Sequence, residues 1–388
     1  MVAQYLLSDD ERAIQDVARR FARDKLAPGY MARDTHDAVI DRGLVREMGQ
    51  LGLLAPEMPE ALGGSGLTCV IAGLIAEELA YGDFNMGSVA VSASLMSQII
   101  ASNAQPHVAA KWVGGIVAGE ALVGVALTEP RGGSDAAQLA LSARAVDGGY
   151  VLKGEKTSIT SAAQADAIIV FARTGAAAEK ARGVSAFLVD GTAKGLVRTE
   201  FRDLGARAIG RGSLFFDDVF VPDDHRMGDE GSGFSQVMVG FDYSRALLGL
   251  LCLGSAQASL DESWAYVNER EAFDRPLSAF QGVTFPLAEG ETAVAAAREL
   301  CYHALRLRDA GLPHTQEAAM SKWLGPKTAR DVIHQCLLTF GHYGYSEDLP
   351  HQQRLRDVMS MEIGDGTAQI MKLIIARHQA ALAASQRS

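Results

Sequence analysis

The hydrophobic period of this chain changes twice, and that change limits the folds open to it. Up to about residue 120, apolar residues recur at helical spacing. From 121 to about 229, short apolar runs alternate with turn signals. From 230 to 388, helical spacing returns. A chain of 388 residues is too long for one small core. The expected architecture is therefore α+β multidomain: an N-terminal helical domain (1–120), a middle antiparallel β domain (121–229) and a C-terminal four-helix bundle (230–388).

Local signals fill in this outline. Ser8 and Glu11 match an S-x-x-E capping box, Ile14, Val17, Ala18 and Phe21 follow at helical spacing, and Pro28-Gly29 predicts a stop. Further helices fit 41–52, 68–82, 86–103 and 105–118, with the glycine-rich loop Gly63–Gly66 among them. Leu141–Val146 and Tyr150–Lys153 flank Asp147-Gly148-Gly149, a hairpin signal. Ala167–Phe171, Val184–Val189 and Leu214–Phe216 are further strand candidates, and strands without intervening helices point to an antiparallel barrel or sandwich. The four late helices fit Phe234–Arg270, Gln281–Asp309, Gln316–Phe340 with a kink expected at Pro326, and Ala368–Ala384.

Composition and missing motifs exclude several function classes. A net charge of -11 argues against a nucleic-acid partner. Cys69, Cys252, Cys301 and Cys336 form no C-x-x-C pair, so no metal site is expected and the thiols read as reduced and buried. The first residues are acidic and lack a basic segment followed by an apolar run, so the expectation is a cytoplasmic protein without a leader. Gly, Ser or charges interrupt the apolar stretches before the ~18 residues of a membrane span, so no membrane is expected as a partner. No G-x-G-x-x-G follows a first strand, and Gly149 and Gly154 have P-loop spacing but Glu155 stands where Lys is needed. No H-E-x-x-H occurs.

The segment Leu127-Thr128-Glu129-Pro130-Arg131-Gly132-Gly133-Ser134-Asp135 carries the most chemistry. Its amides and hydroxyls can donate several hydrogen bonds to a polar heterocycle or a phosphate, although a plain glycine-rich turn would read the same way. The segment resembles the T-E-P-x-x-G-S-D signature of acyl-CoA dehydrogenases. Lys153-Gly154-Glu155-Lys156 with Ile159-Thr160 resembles that family's G-x-K-x-W-I-T strand. Arg270–Phe273 resembles its R-x-x-F motif, and Phe340–Tyr345 its F-G-G-x-G-Y turn. Ile363-Gly364-Asp365-Gly366-Thr367, after Arg356-Asp357, resembles its catalytic I-Y-E-G-T. The motifs occur in family order over nearly the whole chain.

The resemblance implies FAD as cofactor and an acyl-CoA as substrate. It places Leu127, Thr128, Ser134, Ser158 and Thr160 around the flavin ring. Arg270, Phe273, Gln281, Gly341, Thr367 and Gln369 would serve the dinucleotide of a neighbouring subunit, which implies a homotetramer. Ser134, Asp242, Arg245, Gly364 and Gly366 would line the substrate channel. Without the resemblance, Arg245 reads as a solvated helix charge. Asp365 would be the base that takes the α proton while hydride leaves the β carbon for flavin N5; its plainer reading is a cap for the helix after Thr367. Asp83 is a reserve base. Electron-transferring flavoprotein is the expected electron acceptor.

The chain departs from the family pattern at three positions: Asp365 replaces Glu, Gly364 an aromatic and Ser158 a Trp. Some relatives carry the base just before the channel arginine, and here that position is Ser244. Asp at the base position resembles relatives acting on alicyclic thioesters such as cyclohexanecarboxyl-CoA, and also nitroalkane oxidase. The small residues at 158 and 364 suggest a pocket wide near the thioester, with Gly364 free to adopt unusual backbone angles. A short linear acyl chain, a thioester tethered to carrier protein, a flavin oxidase and a DNA-binding flavoprotein are the alternatives.

Overall fold

The computed structural model describes residues 7–385. Residues 1–6, on which the leader expectation partly rests, and 386–388 lie outside the described residues. α1 (Asp9–Phe21) starts as its capping box predicts: the Ser8 hydroxyl accepts from the Glu11 N–H at 3.2 Å, and the Glu11 carboxylate accepts from the Ser8 N–H at 2.7 Å. Pro28-Gly29 does not stop the winding. A π-helical turn (Ala22–Leu26) and two 3-10 turns (Ala27–Gly29, Met31–Arg33) carry it on. Pro28 sits in the first turn of a 3-10 segment, where its missing N–H breaks no bond. α2 (Arg42–Gln50), α3 (Cys69–Gly82), α4 (Phe84–Asn103) and α5 (Pro106–Val117) follow.

The sheet comprises β1 (Val123–Ala126), β2 (Ser142–Val146), β3 (Gly149–Ile159), β4 (Ala167–Arg173), β5 (Val184–Asp190), β6 (Leu196–Glu200), β7 (Gly212–Pro222) and β8 (Arg226–Met227). Its order is β6-β7-β3-β2-β4-β5-β8, with β1 beside β4. The pairing is antiparallel except where β1 and the start of β2 meet β4 in parallel, which corrects the purely antiparallel expectation. β2 and β3 join through Asp147-Gly148, where Gly148 has φ +74°. β4 is buried along almost its whole length because it serves two cores. Ile168 and Val170 face the interior of the β region, while Ile169 and Phe171 join the helical core.

The last region contains α6 (Gly233–Glu269), a hairpin of β9 (Glu271–Ala272) and β10 (Arg275–Pro276), α7 (Gln281–Asp309), α8 (Thr315–Thr339), the short α9 (His342–Tyr345), α10 (His351–Met359) and α11 (Ala368–Ser385). It is thus more than four helices. α7 and α8 continue unbroken across Pro286 and Pro326. α6 is apolar on every side because α3, α4, α7 and α8 surround it. Contrary to the sequence reading, α4 and α6 each contain a window apolar and long enough to cross a membrane, yet 83% of each window is buried inside the protein. The approach of α8 to α6 depends on two glycines: a Cβ on Gly325 would fall 2.6 Å from the Gly249 Cα. Cys252, Cys301 and Cys336 are buried and unpaired, and burial pushes the Cys301 thiol up to about 12.

α10 ties the three regions together. Asp357 accepts from the Tyr30 hydroxyl at 2.7 Å and from the Ala206 N–H at 2.6 Å. Arg356 pairs with Asp34 and donates to the Leu204 carbonyl at 2.7 Å. Arg354 holds Glu262 through two bonds of 2.7 Å. Burial pushes the Asp357 carboxyl up to about 7, offset in part by the two hydrogen bonds it accepts. This folded value lies above the ordinary ~3.9, so the native state binds the extra proton between the two. Stability from this group is complete below ~4 and falls as pH rises through about 7. Asp357→Asn cannot ionise. Between about pH 5 and about pH 8, wild type should therefore lose thermal stability relative to that variant. Parallel melting temperatures across that range would refute the raised value.

Candidate active site

The loop after β1 is fixed from below and free at its tip. Lys156 of β3 is fully buried, and its Nζ donates to the Leu127 carbonyl at 3.0 Å and to Glu129 Oε1 at 2.8 Å. Glu129 also accepts from the N–H groups of Ala140 (2.7 Å) and Leu141 (2.8 Å). Burial pushes the Lys156 ammonium down to about 8, with Glu129 acting against the shift. Burial also opposes the Glu129 carboxylate, but Lys156 and the two amides outweigh it and hold the group below its usual range. The pair is ionised at neutral pH. It leaves Gly132, Gly133, Ser134 and Asp135 exposed and Thr128 half-buried. Glu129 and Lys156 both stand within the sequence motifs, which mark no role for either. The only available signal was a lysine at an inward strand position.

β3 presents the next polar groups. The Thr157 N–H donates to the Thr128 carbonyl at 2.9 Å, bringing β3 alongside the loop. Ser158 is exposed with φ +59°, and Ser161 has φ +57°. Between them, Thr160 lines a cavity whose far wall is α4, through Ser88, Val89, Ser92 and Ala93. Leu127, Thr128, Ser158 and Thr160 thus gather at one place, with Ser134 on the exposed arm of the same loop.

A second group gathers where α6 meets the turn before α11. Asp365 Oδ2 accepts from the Ser244 hydroxyl at 3.0 Å. Thr367, not Asp365, caps α11: its hydroxyl accepts from the Ile370 N–H at 3.4 Å. The unusual backbone falls on Asp365 (φ +53°) and Gly366 (φ +106°), correcting the expectation for Gly364. Gly364 is exposed, and a Cβ there would meet only the Ser360 carbonyl at 3.7 Å. Arg245 is no solvated helix charge. It is 4% exposed and pairs with Asp242 at 2.7 Å, while Thr315 donates to the other Asp242 oxygen at 2.6 Å. Burial lowers the Arg245 pKa, and the charges of Asp242 and Asp365 push it back. Asp83 is not available as a base: it caps α4 through the N–H groups of Asn85 (2.8 Å) and Met86 (3.2 Å) and pairs with Arg33 at 2.7 Å.

The third group lies on the outer surface of the helical region. Phe273 occupies the β9–β10 turn with φ +54° and is 88% exposed. Arg270 and Gln281 flank the hairpin and are exposed, and Gly341 is exposed with φ +62°. Among the described residues, no hydrogen bond links Arg270, Phe273 or Gln281 to the other two groups. Gln369 is exposed at the start of α11. The donor set suits a flavin dinucleotide: neutral hydroxyls and amides for the ring around Thr128, Ser158 and Thr160, and a guanidinium for phosphate at Arg270. A Cβ at Gly132 or Gly341 would meet nothing within 4 Å, so the backbone there is open to a ligand.

Comparison with known proteins gives a consistent answer. Residues 8–120, 124–219 and 231–380 match the N-terminal, middle and C-terminal domains of acyl-CoA dehydrogenases. Benzylmalonyl-CoA dehydrogenase of Aromatoleum aromaticum is 35% identical over 374 residues, covering 96% of this chain and 98% of that protein. The human mitochondrial short-chain specific acyl-CoA dehydrogenase is 34% identical, covering 96% of this chain and 90% of that protein. The structure of butyryl-CoA dehydrogenase from Megasphaera elsdenii superimposes with a TM-score of 0.93 at 30% identity, covering 96% of this chain and 99% of that one.

The buried Lys156–Glu129 pair yields a stability prediction. Lys156→Met leaves Glu129 buried without its cation and should destabilise by about 3 kcal/mol or more. Adding Glu129→Gln should recover part of that loss. Urea unfolding of the single and double variants measures both, and a single-variant loss below about 1 kcal/mol would contradict the charged pair.

Proposed function

The chain belongs to the FAD-dependent acyl-CoA dehydrogenase family of oxidoreductases acting on CH–CH donors, and we propose that it desaturates a thioester bulky at its α carbon, with Asp365 as base. The observation that carries this reading is the state of Asp365. Its Oδ2 is held by a neutral hydroxyl, and among the described residues no cation pairs with it directly. One carboxylate oxygen is therefore left free to accept a proton.

When bound, the flavin supplies the acceptor for the hydride leaving the β carbon. The protein supplies the base and backbone donors for the thioester carbonyl, beside the hydroxyl that the bound cofactor would offer. A thioester α proton is far too weakly acidic for a carboxylate unless the carbonyl oxygen is polarised. Among the described residues, the backbone N–H groups of Asp365 and Gly366 form no hydrogen bond within the protein, and they lie beside the base. They are the donors this chain offers to that oxygen. Asp365 Oδ1 then takes the proton. Arg245, backed by Asp242, gives the channel one buried positive charge.

Three features support the finer parts of the proposal. Ser158 and Gly364 are exposed, and the neighbours of Gly364 leave room, which favours a ring or branch next to the carbonyl; cyclohexanecarboxyl-CoA is the simplest such substrate. An aromatic side chain at positive φ and 88% exposed, as Phe273 is, favours burial against a second copy of the chain. Tyr345 (84% exposed) and Ile363 (69%) add apolar surface in the same region of the chain, consistent with a homotetramer sharing FAD sites. Electron-transferring flavoprotein is the proposed acceptor.

Asp365→Asn is nearly isosteric but cannot take a proton, so flavin bleaching by thioester without oxygen should slow at least ~10³-fold while binding persists. Near-normal bleaching would move the base elsewhere. In wild type, cyclohexanecarboxyl-CoA should give a higher kcat/KM than butyryl- or octanoyl-CoA. Gly364→Tyr should depress turnover of the ring substrate more than that of the linear ones. A wild-type preference for octanoyl-CoA would end the wide-pocket proposal.

A further inference from the structure

We infer that Ser244 and Lys322 are positioning residues that hold the Asp365 turn between α6 and α8 and aim its carboxylate without pairing it to a cation. The inference rests on the assignment of Asp365 as base. The turn needs support, because Asp365 is a side-chain-bearing residue at φ +53° and Gly366 follows at φ +106°. The support does not come from the cap of α11, which Thr367 supplies.

It comes from two sides. From α6, the Ser244 hydroxyl, fully buried, reaches Asp365 Oδ2 at 3.0 Å; its competing acceptor, the Phe241 carbonyl, is farther at 3.4 Å. From α8, the buried Lys322 Nζ donates to the Met361 carbonyl and, at 3.2 Å, to the Gly366 carbonyl. One ammonium thus staples the backbone before and after the base. The close approach of Gly249 and Gly325 lies five residues beyond Ser244 on α6 and three beyond Lys322 on α8, and sets the gap the turn must fit.

The charges around the turn follow a common pattern. Lys322 and Arg245 both feel the Asp365 charge, yet neither pairs with it. Lys322 is turned to carbonyls and Arg245 to Asp242 at 2.7 Å. Glu362, on the turn itself, pairs with Arg330 at 3.1 Å. A direct ion pair would stabilise the carboxylate so strongly that it would be a poor base. A hydroxyl contact fixes the carboxylate's direction at far smaller electrostatic cost to its basicity.

The test compares wild type with Ser244→Ala, Ser244→Thr and Lys322→Gln as holoenzymes, using butyryl-CoA and cyclohexanecarboxyl-CoA. Ser244→Ala should slow anaerobic flavin reduction roughly 10- to 100-fold, the range for misplacing a catalytic group, with KM changed no more than about twofold. The acid limb of its kcat/KM profile should move to higher pH, because a hydrogen bond to the charged form is lost. Ser244→Thr, which keeps the hydroxyl, should restore rate and profile. Amide hydrogen exchange over residues 361–366 should quicken in Ser244→Ala and in Lys322→Gln. A Ser244→Ala enzyme with wild-type rate, profile and exchange, beside an inactive Asp365→Asn, would overturn the inference and leave the base assignment standing. An active Asp365→Asn would overturn the assignment, and unchanged exchange in both clamp variants would overturn the clamp as well.

Discussion

The contact between the backbones of α6 and α8 at Gly249 and Gly325 is the constraint from which the site follows. No side chain fits between these helices at that point. Their approach brings Ser244, Arg245 and Lys322 around one short turn, and that turn carries Asp365. Because α6 also packs on α3 and α4, the same contact sets the distance from the base to the N-terminal helices. The wall that α4 contributes to the Thr160 cavity is thereby placed in one frame with the base.

The sequence made the broad plan readable because that plan depends on local period. Helical spacing, the Ser8–Glu11 capping box and the Gly148 turn each act within a few residues, and each appears as expected. What escaped depends on distant partners. β6 is five residues long and polar over Arg198, Thr199 and Glu200, and α10 is mostly polar because it serves as a tie between regions. Alternation alone marks β3 only over Tyr150–Lys153, because its register shifts at Gly154 and again before Ile159; the motif resemblance carries the strand beyond that point.

The same division holds at the site. Motif resemblance pointed to Asp365 and, separately, to Ser244 as an alternative location for a base. That the two side chains touch across 121 residues of sequence is a tertiary fact with no local signature. Arg245 read locally as a surface charge, although Asp242 at i−3 was a visible partner and its pairing permits burial. The Lys156–Glu129 pair spans 27 residues and is invisible until β3 is seen to pass under the loop.

β4 belongs to two cores at once, and this bears on how such a chain can be divided or recombined. Excising the middle region would uncover Ile169 and Phe171 on β4 and Val184, Ala186 and Leu188 on β5, all of which the helical core now covers. The helical regions left behind would lose the matching surface. The three segments therefore share one buried surface, and the sheet cannot be treated as an exchangeable module. A segment swapped between two such proteins must carry with it the helical side chains that rest on the inner faces of β4 and β5.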